Sequence, residues 1–156
     1  MPLIRHLRQR LTLFGIVCTR ALISQVAVGA VALVRDDAGR VLLVGPRFGT
    51  GWSLPGGGVG AGEPPEQAVL RELREEVGLI DCKPPALVAL YTRRVAWATN
   101  LIVLYDVADA RIAFKPNLEI REICWADPAS PPRHIQLGAA RRLAELTGRL
   151  PRQMRW

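Results

Sequence analysis

The sequence has few of the residues that build disulfide frameworks or zinc sites. Its 156 residues include three cysteines and two histidines. Cys18, Cys82 and Cys124 are odd in number and far apart, and no Cys-x-x-Cys pair occurs. This pattern argues against both a disulfide scaffold and a zinc centre. It is typical of a reducing compartment, so we expect a cytoplasmic protein.

Long apolar runs are also missing. No stretch reaches the roughly 18 apolar residues of a membrane span, because Arg20 closely follows the apolar run at 11–18. Arg5, Arg8 and Arg10 precede that run, as in a secretion signal, but no small-x-small cleavage motif ends it. We therefore expect no transmembrane segment.

The composition is that of a folded domain. Hydrophobic residues make up 49% of the chain, enough for a core without disulfides at this length. The length predicts one domain, and the composition excludes disorder, collagen and coiled coil.

Lysine is scarce, yet the net charge is +7, which suggests a nucleic-acid or membrane partner. Residues 1–25 carry four Arg and no acidic residue, and residues 129–156 carry six Arg and one Glu. Residues 26–128 carry 11 basic and 13 acidic residues, a net charge of −2. The basic character therefore lies at the two ends, and we expect no stable nucleic-acid partner.

The first 24 residues predict a basic amphipathic extension. Leu3, Leu7, Leu11 and Phe14 follow a helical spacing, with arginines outside the apolar stripe. Such a helix could lie on an acidic membrane or pack on the domain or a second subunit. We favour packing, which leaves a homodimer open.

From residue 25 onward, apolar runs, turns and helical patterns alternate. Val26–Val34 and the run at 41–44 predict a hairpin around the turn at 36–39. The glycine-rich stretch at 46–62 is interpreted as loop. Further strands are predicted at 87–95, 101–107 and 120–125, and helices at 66–77 and 135–147. This order predicts a mixed α/β or α+β sandwich.

Three carboxylates fall on one face of the first predicted helix. Glu72, Glu75 and Glu76 stand at i, i+3 and i+4, so they are neighbours within about 5–6 Å. Like charges at this spacing repel, and a hard divalent cation such as Mg²⁺ or Mn²⁺ relieves the repulsion. Arg71 is placed to balance charge and to reach Glu63. The alternative is a solvated charged helix face.

The wider pattern separates these alternatives. Gly57 is followed after five residues by Glu63 and after seven more by Arg71-Glu-Leu-x-Glu-Glu-x-Gly-Leu79. This pattern resembles the Nudix box at every defining position. The preceding Trp52-Ser-Leu-Pro-Gly-Gly is similar to the approach to the box in that family.

The resemblance implies an α/β/α sandwich around a mixed sheet. It also implies Mg²⁺- or Mn²⁺-dependent hydrolysis of a nucleoside diphosphate linked to another moiety, such as a nucleoside triphosphate or nucleotide sugar. The expected Nudix domain is 25–148, followed by a basic tail at 149–156. The alternative is a non-catalytic nucleotide sensor on the same fold, but all box carboxylates are present.

The resemblance also assigns roles to residues. Glu72, Glu75 and Glu76 become metal ligands, with the Gly56 carbonyl beside them. Glu72, Glu75 and Arg71 form the expected catalytic group, and Arg71 also holds the loop against the helix.

Residues outside the box are predicted less directly. Family members often add an acidic ligand, and Glu119 and Glu122 are candidates on opposite faces of a strand; we favour Glu122. Arg47 and Arg93 are candidate phosphate ligands, and Trp52 is a candidate base-stacking side chain.

Overall fold

The computed structural model describes residues 26–156. The predicted N-terminal amphipathic helix and Cys18 lie outside the described residues. Within the described part there are eight strands and two helices. The strands are β1 Val26–Val34, β2 Val41–Pro46, β3 Gly56–Gly58, β4 Leu79–Asp81, β5 Ala86–Val95, β6 Ala98–Val107, β7 Arg111–Ile112 and β8 Ile120–Ala126. The helices are α1 Pro65–Val77 and α2 Leu137–Leu146.

The main sheet has the order β3-β1-β6-β5. β1 and β6 are parallel, whereas the β1–β3 and β5–β6 pairs are antiparallel, so the sheet is mixed. A second sheet pairs β2 with β8, and a small ladder pairs β4 with β7. The five predicted strands and the two predicted helices are confirmed to within a few residues. β4 and β7 were not predicted, and β3 lies in the stretch that was interpreted as loop.

The predicted β1–β2 hairpin is wrong. The turn itself forms, with the Gly39 N–H donating to the Asp36 carbonyl at 2.9 Å. Only an isolated bridge, Arg35 to Val41, follows it. Both edges of β1 are occupied, by β3 and β6, so β2 pairs with β8 instead.

Side chains that alternate along the strands contribute to two apolar clusters, one on each face of the main sheet. One cluster joins Ala30, Ala32 and Val34 of β1 to α1. The other joins Leu33 of β1 and Ile102 of β6 to α2. The two helices therefore pack on different layers, and the mixed α+β sandwich expected from the sequence is confirmed. No helix among residues 26–156 is long and apolar enough to cross a bilayer.

Residues 149–156, predicted as a basic tail, pack against β5 and α2. The Thr92 N–H donates to the Met154 carbonyl at 2.9 Å, and the Trp156 N–H donates to the Thr92 carbonyl at 3.1 Å. A Cβ on Gly138 of α2 would collide with the Trp156 indole.

Candidate active site

Helix α1 begins and ends where local sequence chemistry places its boundaries. Pro64 and Pro65 occupy the first positions, where a missing N–H costs nothing. Gly78 ends the helix in the left-handed conformation, with φ of 68°. Its apolar face is buried and Glu76 lies on that same buried side, whereas Glu75 is exposed. The Glu76 side chain is therefore buried, unlike that of Glu75.

Strand β3 lies directly against these carboxylates. The Gly56 N–H donates to Glu76 Oε2 at 2.8 Å. A Cβ at Gly56 would collide with the Ala30 carbonyl, and φ there is 137°. A Cβ at Gly57 would lie 2.5 Å from the Glu72 carboxyl carbon. Only glycine lets the backbone approach the acidic side chains so closely.

Arg71 ties the box loop to the helix. Its Nε donates to Glu63 Oε1 at 2.9 Å, and its Nη2 donates to the Gly58 carbonyl at 2.9 Å. Its Nη1 lies 2.8 Å from Glu72 Oε1 and 3.2 Å from Glu75 Oε2. The hydrogen bond from Arg71 lowers the pKa of Glu63.

Glu76 is the electrostatically unusual carboxylate. Burial and, to a smaller extent, the charges of Glu72, Glu119 and Glu75 raise its pKa to about 7 against the opposing effect of the Gly56 N–H. A cation bound nearby would lower the pKa of this buried carboxyl and so favour its ionised form.

A fourth carboxylate, Glu119, lies near enough to Glu76 for its negative charge to raise the pKa of Glu76. Glu122, favoured from the sequence, is hydrogen-bonded to Arg121 and lies over Gly45. These contacts do not bring it to the box carboxylates.

The predicted alternation along β8 is interrupted by a bulge. The register shifts between Gly45 and Pro46, so that Pro46 faces Ile120. Ile120 consequently packs in the same cluster as Ile123 and Trp125, although strict alternation predicts opposite faces.

Asn117 is a positioning residue that the sequence did not reveal. Its Nδ2 donates to the carbonyls of Glu75 and Glu76, and its Oδ1 accepts from the Glu119 N–H at 3.0 Å. It therefore joins the end of α1 to the segment that carries Glu119. A lone Asn before a strand carries no sequence signal of this role.

The predicted substrate residues are placed in three different surroundings. Arg47 donates to the Asn117 carbonyl at 2.9 Å and so lies beside the Glu119 segment. Trp52 is half-buried and exchanges backbone hydrogen bonds with His134 and Gln136. Arg93 lines a cavity beside the glycine strand.

That cavity has a volume of about 350 Å³. It runs over the β1–β6 face of the main sheet, between the glycines of β3 and helix α2. Polar side chains from four segments of the chain line it. They are Ser53, Arg93, Asn100 and Gln136, with the Trp156 indole as one wall. The lining therefore mixes polar and apolar groups, with the polar surface the larger, which suits a polar small molecule.

The residues fit a divalent cation. In the part of the chain that the structure describes, no three acidic side chains converge at ligand distance. Instead, the Arg71 guanidinium binds both Glu72 and Glu75 and supplies the positive charge near these carboxylates. Hard oxygen donors around a positive charge are the donor set that Mg²⁺ and Mn²⁺ prefer.

Comparison with known proteins then decides the family. The NUDIX domain family matches residues 24–146. The chain belongs to the Nudix family. This match covers both helices and all the carboxylates described above.

Curated relatives of this Nudix protein match over short segments. An 8-oxo-dGTP diphosphatase of Haemophilus influenzae is 44% identical over 62 residues, which are 37% of this chain and 43% of the relative. An RNA pyrophosphohydrolase of Acinetobacter baylyi is 48% identical over 48 residues, 31% of this chain and 29% of the relative. The alignments span less than half the length of these relatives.

Solved structures support the fold over a longer range. A MutT NUDIX hydrolase from Burkholderia pseudomallei has a TM-score of 0.69 at 24% identity, covering 79% of this chain and 99% of that one. A UDP-X diphosphatase has a TM-score of 0.62 at 20% identity, covering 85% of this chain and 67% of that one.

Proposed function

We propose that this Nudix protein is a pyrophosphohydrolase that requires Mg²⁺ or Mn²⁺. Its substrate is a nucleoside diphosphate linked to another moiety, and water attacks the diphosphate. The observation that carries the proposal is the packing of the box carboxylates against the glycine strand, directly beside a cavity of nucleotide-compatible size.

The metal ligands in this proposal are Glu72, Glu75 and Glu76, with the Gly56 carbonyl. Glu119 replaces Glu122 as the acidic contribution from outside the box, because Glu119 acts on Glu76 and Glu122 is engaged with Arg121. When bound, the metal supplies charge neutralisation at the diphosphate and lowers the pKa of a water. Arg71 would hold the box loop through its contacts with Glu63 and the Gly58 carbonyl.

The substrate proposal stays broad. Curated relatives named for 8-oxo-dGTP and for RNA act on different nucleotides. Nucleoside triphosphates and nucleotide sugars are both included. Arg93 is a phosphate or sugar contact in the cavity, whereas Arg47 lies at the Glu119 side of the metal site. Trp52 is a contact at the rim in this proposal.

A non-catalytic nucleotide sensor is the alternative. It is disfavoured because the cluster keeps every carboxylate, together with the buried Glu76 that a sensor would not require. The proposal further includes a cytoplasmic location, a domain at 25–148, no stable nucleic-acid partner and a homodimer through the N-terminal extension. The described thiols, Cys82 and Cys124, are both free.

The test is a substrate panel with product identification. The full chain is incubated with nucleoside triphosphates, oxidised triphosphates and nucleotide sugars, with Mg²⁺, with Mn²⁺ and with EDTA. We expect cleavage with metal only, and release of pyrophosphate or of a monophosphate identifies the bond attacked. Absence of cleavage across the panel with both metals contradicts the proposal.

A further inference from the structure

A second cleft, which we call the basic cleft, lies beside the cavity. It has a volume of about 490 Å³ and is lined by four arginines, Arg93, Arg94, Arg141 and Arg155, together with threonines and Trp156. No carboxylate of the described chain lines it. Four guanidinium groups around one cleft repel one another, and a bound anion relieves that repulsion.

The remainder of the chain supplies no acidic partner. The 25 residues outside the described part contain four Arg and no Asp or Glu. Two of these arginines bind backbone carbonyls: Arg94 Nε donates to the Ala96 carbonyl at 3.2 Å, and Arg141 Nη1 donates to the Trp156 carbonyl at 3.2 Å. Donors therefore remain for a ligand from outside the chain.

Residues 153–156 are held in place by a buried arginine that is not part of the cleft. Arg142 is 1% exposed and donates to the Arg155 carbonyl at 3.3 Å and to Glu145 Oε1 at 2.7 Å. Glu145 Oε1 also accepts the Gln153 N–H at 3.1 Å. The backbone that carries Arg155 is thus fixed on α2, and Arg155 lines the cleft.

The basic cleft adjoins the cavity. Arg93 and Trp156 line both spaces. The far end of the cavity touches Gly56–Gly58, next to the box carboxylates. When the diphosphate lies at the carboxylates and the nucleoside in the cavity, the distal end of a nucleotide is directed toward Trp156 and the arginines.

We propose that the basic cleft binds a second phosphate group of the substrate, one attached to the nucleoside beyond the scissile diphosphate. This inference rests on the proposed function for the orientation of the substrate. Guanidinium groups bind phosphate oxygens through charge-assisted, often bidentate, hydrogen bonds. The phosphate is either a 3′-phosphate of a mononucleotide or the first phosphodiester of an oligonucleotide.

The test uses product-type ligands that contain no phosphoanhydride, so binding does not depend on hydrolysis. Titration calorimetry with Mg²⁺ compares a nucleoside 5′-monophosphate, its 3′,5′-bisphosphate and a 5′-phosphorylated dinucleotide. Wild type should bind the bisphosphate roughly tenfold more tightly than the monophosphate. The Arg94→Gln/Arg155→Gln variant should lose this preference, and Arg111→Gln on the exposed strand β7 should keep it. The preference should shrink as salt is raised.

Equal binding of all three ligands by wild type overturns the proposal, as does a preference that survives the double variant. A preference confined to the dinucleotide assigns the phosphate to an oligonucleotide and supports the cleft. Hydrolysis in the substrate panel without this binding preference supports the proposed function and contradicts phosphate binding in the basic cleft. A binding preference without hydrolysis of any substrate supports the basic cleft and contradicts the proposed function.

Discussion

Glu76 combines two properties at the scale of the single residue. It belongs to the buried side of α1, and its Oε2 accepts the Gly56 N–H. Its burial among other carboxylates raises its pKa to about 7. In the metal-free protein a proton is therefore retained there up to neutral pH.

This retention predicts a pH-dependent stability. The pKa of an unfolded glutamate is about 4.3, so a folded pKa near 7 stabilises the protein below pH 4 to 5 and the contribution is lost as pH rises through 7. The free energy of unfolding in EDTA, measured by urea titration, should fall between pH 5 and 8 in wild type relative to Glu76→Gln. The expected difference is on the order of 3 kcal/mol at most.

Glu66→Gln, on the exposed first turn of the same helix, is the matched control and should keep the wild-type pH profile. A Glu76→Gln profile parallel to that of wild type would show that Glu76 ionises normally in the folded protein.

A second residue-scale prediction separates Glu119 from Glu122. Glu119 acts on the acidic cluster, whereas Glu122 is hydrogen-bonded to Arg121. Glu119→Gln should weaken Mn²⁺ binding by about tenfold, because the cluster loses a carboxylate. Glu122→Gln should stay within about twofold of wild type. The measurement is the amount of free Mn²⁺ by electron paramagnetic resonance; the reverse ranking of the two variants would assign the metal site to Glu122.

At the scale of elements, β3 positions the site. Its three residues have no side chains, pair with β1, and meet the carboxylates of α1. A strand made only of glycine gives no propensity or alternation signal, which is why the sequence predicted a loop there.

Two neighbouring glycines of β3 provide a matched pair of variants. A Cβ at Gly57 would lie 2.5 Å from the Glu72 carboxyl, whereas a Cβ at Gly58 meets nothing within 4 Å. Gly57→Ala should displace Glu72 and lower Mn²⁺ affinity by about tenfold, because the ligand loses its position. Gly58→Ala should bind Mn²⁺ as wild type does. Calorimetric titration checks this, and equal affinities in the two variants would contradict the close approach of β3.

The elements differ in how well the sequence predicted them. Helix α1 was predicted to within one residue because its boundaries depend on local signals, prolines at the start and Gly78 at the end. The partner of β2 was mispredicted because pairing depends on which strand edges remain free, a property of the whole sheet. Ile120 departs from strict alternation because Arg121 of β8 is left unpaired between Gly45 and Pro46.

In the candidate site too, local signals were readable from the sequence and contacts between distant segments were not. Helical spacing predicted that Glu72, Glu75 and Glu76 lie near one another on one helix, and the box pattern added Glu63 and Arg71. Contacts between distant segments were invisible in the sequence. They include the role of Asn117, the placement of Glu119 and the packing of Trp156 beside the cavity.

At the scale of the whole molecule, charge is arranged in two zones. An acidic site lies on α1 and β3, and arginines gather at the other end of the cavity, around Trp156. A metal cation can neutralise the first zone, and an anionic substrate can then bridge both. The net charge of +7 therefore does not describe the candidate site, which is acidic.

The central claim is that the carboxylates of α1 carry metal-dependent hydrolysis. The most direct measurement is kcat, on the best substrate of the panel, for wild type, Glu72→Gln, Glu76→Gln and Glu66→Gln, with folding checked by circular dichroism. Both cluster variants should lose about a hundredfold or more in kcat, since the metal's contribution to charge stabilisation is several kcal/mol. Glu66→Gln should retain wild-type turnover. A folded Glu76→Gln protein that cleaves at the wild-type rate would contradict the account.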